Sequence, residues 1–101
     1  MAFDHYETIK FDRDGKILRV TLNRPDKLNA VSVKMHHELS TLFLDISADP
    51  ESDVVVLTGA GRAFSAGGDL DHLEQARQDP SIFYEDMRQG KQLIFSLLDC
   101  Q

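Results

Sequence analysis

Polar and apolar residues alternate through Glu7-Thr8-Ile9-Lys10-Phe11, with Ile9 and Phe11 on one side, and again through Leu18-Arg19-Val20-Thr21-Leu22. Two period-two runs joined through Asp14-Gly15 predict a β-hairpin. Arg24-Pro25 stops the second strand, because proline has no ladder donor and restricts the residue before it. From Ser32, a good N-cap, Met35, Leu39, Leu42, Phe43 and Ile46 recur at helical spacing up to Asp49-Pro50. That pattern predicts an amphipathic helix with one buried face. Val54-Val55-Val56-Leu57 is continuously apolar and mostly β-branched, which predicts a strand covered on both faces. Strand, helix, strand implies a right-handed crossover and parallel pairing. Residues 70–76 then suit a short helix, and Asp79-Pro80 opens another with proline in its first turn. Phe83, Met87, Gly90, Ile94, Leu97 and Leu98 form the predicted apolar face of this last helix.

Composition narrows the class without naming a function. At 101 residues the chain is one domain or a piece of one, with no internal boundary over 1–101 and no internal repeat. Hydrophobic content of 42% and charged content of 28% suit a globular protein and argue against disorder. A formal charge of −6 disfavours nonspecific binding to nucleic acid or anionic membrane. Cys100 is the only cysteine, so an internal disulfide is excluded and a reducing compartment is expected. No run approaches the roughly 20 apolar residues of a membrane span, and the first residues lack a basic region and an apolar signal core. The expected location is the cytoplasm. A lone parallel strand at 54–57 wants neighbours on both edges, so the chain is expected to be a fragment or one part of a larger assembly.

Chemistry concentrates in two loops. Ala63-Phe64-Ser65-Ala66-Gly67-Gly68-Asp69-Leu70 follows the apolar strand with small residues that leave the main chain bare. It ends at an acidic residue suited to cap the next helix. These residues fit a tight capped turn and a ligand cradle equally well. Gly59-Ala60-Gly61 imitates the start of a dinucleotide fingerprint, but the third glycine would fall at Phe64, and no lysine follows in phosphate-loop spacing. The second loop is Arg24-Pro25-Asp26-Lys27-Leu28-Asn29-Ala30. It leads to a helix N-terminus, so the Ala30 N–H is a candidate donor into a cleft. Arg24 and Lys27 are candidates to meet an anion there, the plainer alternative being solvated surface charge.

Together with Leu22-Asn23 and Val54-Val55-Val56-Leu57-Thr58-Gly59, these two loops resemble, in order, the crotonase or enoyl-CoA hydratase/isomerase superfamily. The resemblance covers nearly the whole chain. It implies an α/β fold, the N-terminal part of a spiral of strand-strand-helix units, and an acyl-CoA thioester as ligand. Coenzyme A would then enter as part of the substrate, with no permanently bound cofactor. Family members stabilise a thioester enolate with two backbone N–H groups, and Ala30 matches the first of them. Such preorganised donors are worth roughly 3 to 4 kcal/mol each. Ala66, Gly67, Gly68, Asp69 and Leu70 match the segment that lines the CoA cleft. Leu28 lies with the matching first loop, and Lys27 and Arg24 match basic positions near the CoA phosphates.

The resemblance also implies what to expect of the reaction. Hydration of a 2-enoyl-CoA ranks first, with isomerisation, thioester hydrolysis and carbon–carbon cleavage using the same half-site. A different class of reading is a truncated CoA-binding or assembly module that does not turn over substrate. The family's second oxyanion donor and its general acid and base match positions beyond Gln101, so the resemblance implies a complementary C-terminal segment as a partner. Glu38 and Glu74 are not in the matching context. Self-association into trimers or dimers of trimers is expected from the resemblance. No metal is expected: adjacent His36 and His37 diverge by about 100° on a helix, Asp69 and Asp71 lack a partner at ligand spacing, and His72 reads as a solvated helix histidine.

Overall fold

A computed structural model of the chain describes residues 3–100. Strands β1 (Ile9–Asp14) and β2 (Ile17–Leu22) pair antiparallel from Ile9 opposite Leu22 to Asp14 opposite Ile17. Only Gly15 and Lys16 remain for the turn, the tight hairpin expected from Asp-Gly. Helix α1 (Val33–Ser47) carries the chain across the sheet to β3 (Val54–Gly59), which pairs parallel to β2 from Ile17 opposite Val54 to Leu22 opposite Gly59. The sheet order is β1-β2-β3. Helices α2 (Leu70–Gln78) and α3 (Pro80–Asp99) follow, and α3 lies along α1 and α2.

Alternation in β2 turns Leu18, Val20 and Leu22 toward α1, where they meet Met35, Leu42, Phe43 and Ile46. Leu18, Val20, Met35 and Leu42 are fully buried. Ser32 caps α1 by accepting the Met35 N–H at 3.2 Å. Phe3 and Tyr6 close one end of this core, and Phe3 stacks on Phe11 with centroids 4.2 Å apart. Glu38 pins that end in place. Its buried carboxylate accepts the Glu7 N–H at 2.7 Å, the Thr8 N–H at 2.9 Å and the Thr8 hydroxyl. At the far end of α1, Arg13 donates to Asp49 at 2.7 Å. The Ser52 hydroxyl and then Arg13 hold the Asp49 carboxyl at about 2, below the usual carboxylate range.

Two expectations change. The apolar strand is not covered on both faces: among the described residues β3 has one neighbouring strand, and Val54, Val56 and Leu57 are exposed. The last helix does not bury its predicted face either. Gln89, Leu93, Ser96 and Cys100 turn inward, while Phe83, Met87, Ile94, Leu97 and Leu98 face outward, Leu98 at 74% exposure. The inward row is semi-polar, so periodicity of apolar residues selects the wrong side. Among the described residues, no helix is long and apolar enough to cross a membrane.

Candidate acyl-CoA groove

The loop after β2 bends sharply through a 3₁₀ turn at Pro25–Lys27, then through two left-handed residues, Leu28 (φ 53°) and Asn29 (φ 55°). Left-handed backbone is unfavourable for leucine and better tolerated by asparagine. Asn29 holds the bend in place. Fully buried, its Oδ1 accepts the Arg24 N–H at 2.7 Å, while its Nδ2 donates to the Ala60 and Ala63 carbonyls, both at 2.8 Å. One side chain thereby ties the loop after β2 to the loop after β3.

The second loop folds back over the end of its own strand. A Cβ on Gly59 would lie 2.4 Å from the carbonyl oxygens of both Ala63 and Phe64, so the return path admits only glycine there. Ser65, 36 residues from Asn29 in sequence, donates its hydroxyl to the Asn29 carbonyl at 2.8 Å and accepts the Gly67 N–H at 3.1 Å. Three main-chain bonds then zip the loops in parallel. Ala66 donates to Leu28 at 2.9 Å, Val31 to Gly67 at 2.7 Å, and Asp69 to Val31 at 2.9 Å, around a bridge between Val31 and Gly68. Gly67, at φ 94°, turns its carbonyl into this zipper. Among the described residues the Gly68 N–H meets no acceptor.

Lys27, Ala30, Ala66, Gly68, Asp69, Leu70 and Asp71 line an open groove of about 460 Å³ along this seam. Lys27 is exposed and has no ion-pair partner among the described residues. Leu70 is exposed, whereas Leu28 and Gly67 contribute to the zipper without lining the groove. The Ala30 N–H does not project freely: it donates to the Lys27 carbonyl at 3.0 Å, closing the turn that the left-handed pair begins. Arg24 is likewise engaged, with Nη1 and Nη2 each 3.2 Å from Asp69 Oδ2 and Nη1 also donating to the Ala30 carbonyl. Asp69 caps α2 by accepting the Asp71 N–H at 2.9 Å. That bond first, and Arg24 after it, hold its carboxyl below the usual range.

The remaining candidates lie elsewhere. His72, expected in solvent, is buried because α3 folds back over α2; its Nε2 lies 2.9 Å from Asp86 Oδ1, and its ring meets His36 edge-on at 5.6 Å. His36 bonds Gln89 at 2.5 Å, so this cluster fastens α1, α2 and α3 together. Glu38 is spent on the N-terminal segment, and Glu74 pairs with Arg77 and Gln78 in solvent. Asn29 is the residue that reading the loops for charge and small size passes over. Its signal is an amide between Leu28 and Ala30, where a chain must reverse just before a helix.

A parallel strand-helix-strand unit whose two following loops zip into a bare main-chain groove defines the N-terminal portion of a crotonase-like α/β fold. A sequence model described as enoyl-CoA hydratase/isomerase matches residues 12–99. An enoyl-CoA hydratase/isomerase from Mycobacterium paratuberculosis superposes with a TM-score of 0.90 and 37% identity, over 96% of this chain and 39% of that one. The hydroxycinnamoyl-CoA hydratase-lyase of Pseudomonas fluorescens is 37% identical over 84 residues, 82% of this chain and 30% of that protein. The carnitinyl-CoA dehydratase of Escherichia coli K12 is 37% identical over 92 residues, 90% of this chain and 35% of that protein. The chain belongs to the enoyl-CoA hydratase/isomerase family. It spans about a third of the length of these curated relatives.

Proposed function

We propose that this chain supplies the CoA-binding wall and one oxyanion donor of a site for acyl-CoA thioesters, with hydration of a 2-enoyl-CoA as the leading reaction. The observation that carries the reading is the zipped seam, which lines a groove with main chain and, among the described residues, leaves the Gly68 N–H and the groove-lining Lys27 without partners. A free amide in a preorganised loop can meet a thioester oxygen as negative charge develops on it, without reorganising at the moment of reaction. Gly68 takes that role ahead of Ala30, whose N–H joins only by releasing the Lys27 carbonyl. Lys27 at the rim suits a CoA phosphate, and Ala66 and Leu70 flank the pantetheine path. Coenzyme A enters as part of the substrate. Names of relatives support the class: hydratase, hydratase-lyase and dehydratase all act on CoA thioesters.

A second reading, a CoA-binding module without turnover, draws on the carboxylates of the groove. They are Asp69, already committed to Arg24 and the α2 cap, and Asp71; neither Glu38 nor Glu74 reaches the groove. Proton transfer to carbon needs a positioned acid and base, supplied under the first reading by a further segment of the family fold. An oligomer, a trimer or hexamer in the cytoplasm, belongs to the same proposal. The test follows loss of enoyl-thioester absorbance with the 101-residue chain and with a form extended at its C-terminus by a relative's remaining segment. Turnover by the extended form alone is the expected result. CoA binding without turnover by either form favours the module, and no binding by either removes both readings.

A further inference from the structure

We propose that Arg24 and Asp69 are a positioning pair, a charged latch that sets the spacing of the two groove walls, and that neither contacts the CoA phosphates. The inference rests on the acyl-CoA reading of the groove and refines it. Arg24 opens the first loop and Asp69 closes the second, so the pair spans the seam beside the Asp69–Val31 end of the main-chain zipper. Both side chains are mostly buried, at 20% and 19% exposure, whereas Lys27 is exposed. The guanidinium uses both terminal nitrogens on one carboxylate oxygen and adds the Ala30 carbonyl, joining the two loops on one planar group. Asp69 in turn divides its carboxylate, Oδ1 on the Asp71 N–H and Oδ2 on Arg24. A phosphate recruited by Arg24 would have to displace that carboxylate and strip the cap region of its counter-charge. Lys27 offers the same attraction with nothing to displace.

The latch acts on the groove through Ala30 and Gly68. Arg24 holds the Ala30 carbonyl, Asp69 adjoins Gly68, and the Val31–Gly68 bridge lies between them. Breaking the pair frees the N-terminal turn of α2 to move against the first loop and misdirects the Gly68 N–H.

Calorimetric titration with CoA and with pantetheine, which lacks the phosphates and adenosine, separates a latch from a phosphate ligand. Lys27→Gln is expected to weaken CoA several-fold and leave pantetheine unchanged. Arg24→Gln is expected to weaken both by the same factor, about tenfold. Asp69→Asn, which keeps a good N-cap while losing the charge, is expected to match it, and Arg24→Lys to recover part of the loss. Amide spectra of the ligand-free chain give a second readout: Arg24→Gln moves Ala66, Gly68 and Asp71, and Lys27→Gln does not. Loss of CoA affinity alone in Arg24→Gln, or unmoved amides in the free protein, overturns the latch. Binding of neither ligand by the unaltered chain, with the amides still moving in Arg24→Gln, removes the acyl-CoA reading and leaves the latch standing.

Discussion

The β1-β2-α1 half and the β3-α2-α3 half of this molecule contain similar apolar residues and treat them in opposite ways. In the first, Leu18, Val20, Met35 and Leu42 close on one another and exclude water completely. In the second, Val54, Val56, Phe83, Ile94, Phe95 and Leu98 stand exposed along an edge strand and a helix that is apolar on its outer side. The groove lies at the join. Its first wall is rooted in the closed half through β2 and α1, and its second wall springs from the end of the bare strand. Hydrogen bonds from Asn29, Ser65 and the zipper span the seam. Stability and site thus rest on different physics: burial on one side, directed polar contacts on the other.

Substitutions can break that comparison, and the largest effect belongs to the closed core. Leu42→Ala is expected to destabilise by about 2 to 5 kcal/mol in chemical denaturation, through lost burial and the cavity left behind. Gly59→Ala comes next, at about 2 kcal/mol or more, because the loop carbonyls must retreat from a new methyl group; hydrogen exchange should rise in residues 60–69 and not in β1. Asn29→Ala leaves the Ala60 and Ala63 carbonyls without their donor and is expected to lose about 1 to 3 kcal/mol, with loss of CoA affinity exceeding the loss of stability. Acid gives a smaller effect. Asp49 has a folded-state pKa of about 2, below its unfolded value, so its contribution is fully present above pH ~4 and disappears as pH falls through about 2. Asp49→Asn should flatten the stability profile in that window and leave neutral-pH binding unchanged. Smallest is Leu98→Ser on the bare helix face, within about 0.5 kcal/mol of the unaltered chain in the same denaturation measurement.

The closed half was the more legible in sequence, and the reason is physical. Alternation through Leu18, Val20 and Leu22 and helical spacing through Met35, Leu42 and Ile46 each report one buried face, and each face has its partner within the chain. The same logic fails at Phe83, Met87, Ile94 and Leu98, because an apolar stripe announces that a surface wants cover and cannot say whether the cover lies in the same 101 residues. Of the site, the two loops were visible from their small and basic residues. Their mutual pairing was not, since hydrogen bonds between Ala66 and Leu28 or Val31 and Gly67 leave no mark on residue type. Asn29 is the exception, a polar residue whose burial only the meeting of both loops explains. Arg24 and Lys27 look alike as charges; the carboxylate of Asp69 separates them.

The proposed acyl-CoA groove along the zipped seam, with Gly68 as its free donor, is open to direct observation. Titrating the isotopically labelled chain with acetyl-CoA, which carries the thioester oxygen, while following backbone amide resonances tests it most directly. Saturable shifts are expected at Lys27, Ala66, Gly68 and Asp71, with Gly68 among the largest and with Leu18 and Leu42 unmoved. A titration that leaves Gly68 in place, or shifts the outer face of α3 instead, contradicts it.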